Sequence, residues 1–135
     1  METTQQPLLI LIAGPYRSGT GGDPTLMAAN LARLEDAAWP LFRAGHLPVI
    51  GEWVALPVLR SAGAQLDDPL ADEVLYPAAA RLLDRCDAVL RLPGQSAGAD
   101  QDVAIARRRG LPVYHRLEDV PGVAAEATAG TAGTA

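Results

Sequence analysis

A chain of 135 residues, 49% of them hydrophobic, suits one domain around one core and leaves no room for a second. Its formal charge of −5, from 16 acids against 11 bases, argues against a nucleic-acid polymer as partner, and one cysteine with two histidines excludes an internal disulfide and a structural zinc site. No stretch approaches the roughly 18 to 20 apolar residues of a membrane span, and residues 1–7 lack the basic start and apolar run of a leader, so a soluble, cytoplasmic protein away from membranes is expected.

Residues 7–13 (PLLILIA) form a continuous apolar run that stops at Gly14-Pro15, which predicts a strand buried on both faces, as in a parallel sheet. The next stretch, GPYRSGTGGDP from Gly14 to Pro24, is a loop, and it is long for a strand-to-helix connection, where roughly 2 to 6 residues are usual. Asp23 or Thr25 can cap the helix that follows, with Pro24 in its first turn. Apolar residues at Leu26, Ala29, Leu31, Leu34, Ala38, Leu41 and Phe42 keep helical spacing up to a stop at Gly45, and Pro40 predicts a break near Asp36 to Trp39. Leu47 to Ile50 is a short second strand, ending in Gly51-Glu52; His46 before it reads as a loop residue. Residues 54–63 suggest a short apolar helix, 63–69 a surface loop, and 69–85 a clear helix with Asp72 and Glu73 in its first turn. Cys86 to Leu92 is the third strand, Pro93 to Gly98 a turn, Ala99 to Arg109 a helix capped by Gly110, and Leu111 to Tyr114 a fourth strand.

Alternation of strands and helices predicts an α/β fold: an open parallel sheet of four or five strands with helices on both faces, a Rossmann/flavodoxin-like three-layer sandwich, spanning residues 1–121. Residues 122–135, rich in Ala, Thr and Gly, read as a disordered tail.

In such a sheet ligands bind beyond the carboxyl ends of the strands where strand order reverses. That brings the loop from Gly14 beside the turn from Pro93. Tyr16 offers an aromatic face, Arg17 a positive charge, and the loop amides donors. A phosphate-binding Walker loop is excluded because all eleven basic residues are arginine, and the dinucleotide pattern G-x-G-x-x-G is missing after the first strand. Residues 94–98 (GQSAG) match the G-x-S-x-G elbow of serine hydrolases, but the acids between Ser96 and His115 are Asp100 and Asp102, on the very helix that Ser96 precedes. The preferred reading makes Ser96 a binding group and Asp102 the carboxylate that does chemistry. Plain helix capping by Ser96, with both acids complementing the helix dipole, is its competitor. Two carboxylates there would repel an anion unless one points away or is protonated.

The ordered set IAGPYR (residues 12–17), a helix with Asn30, AGHLPV (44–49), RCDAVLRLPG (85–94) and S-x-G-A-x-x-D (96–102) resembles the nucleoside 2-deoxyribosyltransferase-like superfamily, in particular a branch of small single domains. The likeness covers about residues 8–114. It implies cleavage or exchange of the N-glycosidic bond of nucleosides or nucleoside 5′-monophosphates by a carboxylate nucleophile, with no cofactor or metal and with assembly into a homodimer or higher homo-oligomer, in which Trp39 or Trp53 could lie at the contact. The serine falls on Ser96, the glycine on Gly98, the nucleophile on Asp102, and the first-strand loop on Gly14, Pro15, Tyr16 and Arg17. Two departures stand out. The nucleophile is aspartate where glutamate is usual, and the helper aspartate of the preceding helix is replaced near Pro77, Ala78 or Ala79, with Asp72 and Glu73 a turn or more earlier. These departures give weight to a non-catalytic module that binds a nucleotide-like ligand in the same cleft, or to a domain whose role is assembly alone.

Overall fold

The computed structural model describes residues 6–123. Four strands, β1 (Leu9–Ala13), β2 (Leu47–Ile50), β3 (Ala88–Arg91) and β4 (Val113–Tyr114), form one all-parallel sheet in the order β2-β1-β3-β4. Five helices connect them: α1 (Pro24–Glu35), α2 (Ala38–Arg43), α3 (Gly51–Ser61), α4 (Leu70–Leu83) and α5 (Ala97–Arg108). This is the predicted α/β class, with four strands among the described residues.

β1 is central, and its sequence shows why. Ile10 and Ile12 face one layer with Leu34 of α1, Leu41 of α2 and Val120, whereas Leu11 and Ala13 face the other with Leu83 of α4 and Ala99 and Ala106 of α5. A strand covered on both faces has no polar side to display, hence the uninterrupted apolar run. The edge strands read differently. Pro48 lies in β2 and Pro112 adjoins β4; a residue without an N–H is tolerated at an edge, where it also discourages pairing with further strands.

The break expected near Pro40 falls at Asp36-Ala37, between α1 and α2. Pro40 becomes the third residue of α2, within the first turn, whose N–H groups need no intrahelical partner. Asp23 caps α1 by accepting from the Thr25 N–H at 2.9 Å. Both α3 and α4 run through an internal proline, Pro57 and Pro77, and they pack against one another.

Several boundaries move. β3 loses Cys86, Asp87 and Leu92, and β4 shrinks to two residues. α3 begins at Gly51, directly on the end of β2, rather than past Trp53. α5 begins at Ala97, so Gly98 is helical and not part of the turn. The expected tail also starts too early. Val123 is buried in the core beside Val120, while residues 124–135 lie outside the described residues. His46 is a structural tie: buried, it accepts the Leu8 N–H at its Nδ1 (3.1 Å), and its Nε2 lies 2.7 Å from the Pro121 carbonyl oxygen, the pair of bonds expected of a neutral ring protonated at Nε2. No helix among the described residues is long and apolar enough to cross a membrane.

Candidate functional site

The sheet order puts the reversal of strand order between β1 and β3, whose carboxyl ends open on the same side. Two glycines bring the loops there together. A Cβ on Gly14 would meet Leu34 Cδ2 at 2.7 Å and Leu92 Cβ at 3.4 Å. Gly94 has φ +118°, and its Cβ would meet Pro15 Cγ at 2.6 Å. Pro15 thus serves as packing between the two loops. Expected in the ligand site, it is not among the residues that line the cleft.

The cleft itself measures about 360 Å³. The end of β1 (Leu11 to Ala13) forms its floor, and Gly14, Tyr16, Arg17 and Ser18 form one wall. Ser96 to Ala99 and Asp102 of α5 form the opposite wall. Gly51, Glu52 and Ala55 of α3, with Asp72, Leu75, Tyr76 and Ala79 of α4, complete it. The long loop after β1 is held by Asn30, whose Nδ2 donates to the Tyr16 carbonyl at 2.8 Å, and by Thr20, whose Oγ1 donates to the Arg17 carbonyl at 2.6 Å. Arg33 orients that amide by donating to Asn30 Oδ1 at 3.0 Å. Tyr16 is 8% exposed, so the loop presents it inward rather than to solvent.

On α5, Ser96 is the N-cap: its Oγ accepts the Ala99 N–H at 3.0 Å. The capping reading is therefore correct for Ser96, and it coexists with a place in the cleft. Helical side chains lean toward the N-terminus, so Asp102 projects over Gly98, four residues earlier, which has no side chain of its own and lies beside the Tyr76 ring, 3.6 Å from where its Cβ would be. Asp100 turns away. Its Oδ1 accepts from Arg91 Nη2 at 2.9 Å, beside a separate depression that holds His115. The conflict between two acids and one crevice is resolved in this way: one acid is paired outside.

The other, Asp102, has its pKa pushed up to about 7, first by burial and then by the charge of Glu52, with Arg91 opposing. Glu52 is itself raised from its ordinary value by burial, against its own backbone hydrogen bond and Arg17. Burial and Glu52 also raise the Tyr16 phenol, which remains neutral. Arg17 Nη2 donates to Asp72 Oδ1 at 2.9 Å, so the one arginine that lines the cleft among the described residues is paired with an acid of α4 at its mouth.

Of the expected site residues, Gly14, Tyr16, Arg17, Ser96, Gly98 and Asp102 line one cleft. Glu52 and Tyr76 were missed. Glu52 reads as the end of a strand because nothing before it signals a helix start: the N-cap residue is Ile50, with no capping side chain. The serine-hydrolase elbow is excluded, since Ser96 has ordinary extended backbone (φ −162°, ψ 111°) and His115 lines the other depression. Cys86 is buried and its thiol pushed up to about 11, chiefly by burial, so it is no nucleophile. Compared with the models of known protein families and with curated proteins, the chain matches none.

Proposed function

We propose that the protein cleaves the N-glycosidic bond of nucleosides or nucleoside 5′-monophosphates in the cytoplasm, as a hydrolase or a 2-deoxyribosyltransferase, with Asp102 as nucleophile. The observation that carries the proposal is the pair of partly buried carboxylates, Asp102 and Glu52, facing one cleft at the strand-order reversal, both with raised affinity for a proton. Repulsion between the two carboxylates favours the state in which one is ionised and the other protonated. Double displacement draws on the arrangement with the shared proton on Glu52 and Asp102 ionised, reached by moving to Glu52 the proton that the Glu52 charge otherwise holds on Asp102. Asp102 Oδ forms a bond to C1′ as the C1′–N bond breaks; the electron pair leaves with the base, which takes the proton of Glu52. Water or a second base then attacks C1′, Glu52 recovers a proton, and the Asp102 carboxylate leaves. Tyr16 flanks the base, and Ser96 and Gly98 hold the sugar end.

The resemblance of residues 8–114 to the 2-deoxyribosyltransferase-like superfamily supports the same reading. Of Pro77, Ala78 and Ala79, near which that resemblance expects a helper aspartate, Ala79 lines the cleft, and Glu52 supplies an acid from another element. The test is chromatography for free base over a panel of nucleosides and 5′-monophosphates, with wild type and Asp102→Ala. Release that the substitution abolishes is expected. Release unaffected by it rejects the nucleophile, and binding without release points instead to a ligand-binding module.

The proposal includes self-association into a homodimer or higher homo-oligomer, supported by the exposed apolar side chains Trp39, Phe42, Leu47, Trp53, Val54 and Val58 on α2, β2 and α3.

A further inference from the structure

We infer that the cleft selects uncharged nucleosides over nucleoside 5′-monophosphates. The inference rests on the function proposed above and narrows its substrate class. Among the described residues, four charged side chains line the cleft: Glu52, Asp72 and Asp102 against Arg17. The arginine is already engaged by Asp72 at 2.9 Å. The next cation, Arg91, which lies close enough to Asp102 to favour its ionised form, is held outside by the Leu92 carbonyl and by Asp100. A phosphate monoester brings about −1.5 to −2 charges at pH 7. To pair with Arg17 it would have to displace Asp72, leaving that carboxylate beside it and at least one more charge on the Glu52/Asp102 pair.

The N-terminal turn of α5 favours an anion. Part of that capacity is already used: Ser96 Oγ takes the Ala99 N–H, and Asp100 lies in the same turn. The Ser96 hydroxyl keeps its proton to donate, which suits the 5′-hydroxyl of a nucleoside. Aspartate 72 is then a specificity residue. It keeps Arg17 at the cleft wall and adds a negative charge at the mouth, where the 5′ end of a ligand with its C1′ near Asp102 can reach.

The experiment compares 2′-deoxynucleosides with their 5′-monophosphates by free-base release and by calorimetry, for wild type and Asp72→Asn, at low salt and at 0.15 M. The nucleoside is expected to show a KM and Kd lower by about tenfold or more, the effect of one added like-charge interaction. Added salt should narrow the gap, and Asp72→Asn should shrink it several-fold by releasing Arg17. A monophosphate that binds as tightly as its nucleoside, or a ratio that Asp72→Asn leaves unchanged, overturns the inference while leaving the proposed function standing. If neither ligand binds or reacts, the proposed function falls and the inference with it.

Discussion

Asp102 carries opposite demands at the residue level. The nucleophile must be ionised, yet its surroundings hold its proton up to about pH 7. Two consequences have definite signs. The mechanism needs one proton on the Asp102/Glu52 pair and the step near pH 7 removes it, so kcat/KM for base release should fall about tenfold per pH unit above pH 7. Stability should fall on the same side. Between pH ~4 and 7 the folded chain holds a proton at Asp102 that the unfolded chain has released, so this group's contribution is full below ~4 and is lost as pH rises through 7. Asp102→Asn removes that loss, and denaturant melts should show the variant more stable than wild type at pH 8, by up to about 4 kcal/mol, with the difference vanishing near pH 4. A variant less stable than wild type at pH 8 would mean that the carboxylate is paired rather than merely buried.

The helix α5 is where sequence and structure agree in content and differ in register at the level of elements. Its candidate residues were legible because the S-x-G-A-x-x-D spacing sets a hydroxyl at the helix start and a carboxylate one turn after Gly98, on the same face as that glycine. The start was misplaced by two residues because a glycine at 98 looks like turn, although as the second residue of the helix it makes room for Asp102. Ser96→Ala should cost about 1 kcal/mol in chemical denaturation, the usual worth of an N-cap, and should also raise the KM for nucleosides if the hydroxyl touches the sugar. A stability loss with unaltered KM confines Ser96 to capping. Glu52 was not legible at all. Its chemistry depends on α3 springing straight from β2, and a strand end followed by a helix without cap or loop leaves no local mark. The long-range bonds of His46 are equally invisible in sequence, since they join Leu8 and Pro121, 38 and 75 residues away.

For the whole molecule, the apolar run of β1 was enough to announce a parallel sheet, and Pro48 in β2 and Pro112 next to β4 mark its two edges. Apart from Leu26, the large apolar side chains left exposed among the described residues cluster in sequence around β2. Trp39 and Phe42, 62% and 58% exposed, stack with centroids 6.2 Å apart, and Trp53, 40% exposed, is tied to α1 by an Nε1–H bond to Glu35 at 2.8 Å. Large, ordered aromatics of this kind suit a subunit contact. Sedimentation velocity should show mass rising with protein concentration, and Trp39→Ala with Phe42→Ala should shift the distribution to monomer; a monomer at every concentration contradicts the proposed assembly.

The central claim is the bond between Asp102 and C1′. Wild-type protein mixed with a 2′-deoxynucleoside, quenched in acid within one turnover and digested, should yield the peptide containing Asp102 with the added mass of a deoxyribosyl group, and Asp102→Ala should yield none. Free base released with no adduct on any carboxylate, or an adduct mapped to Glu52 instead, would contradict it.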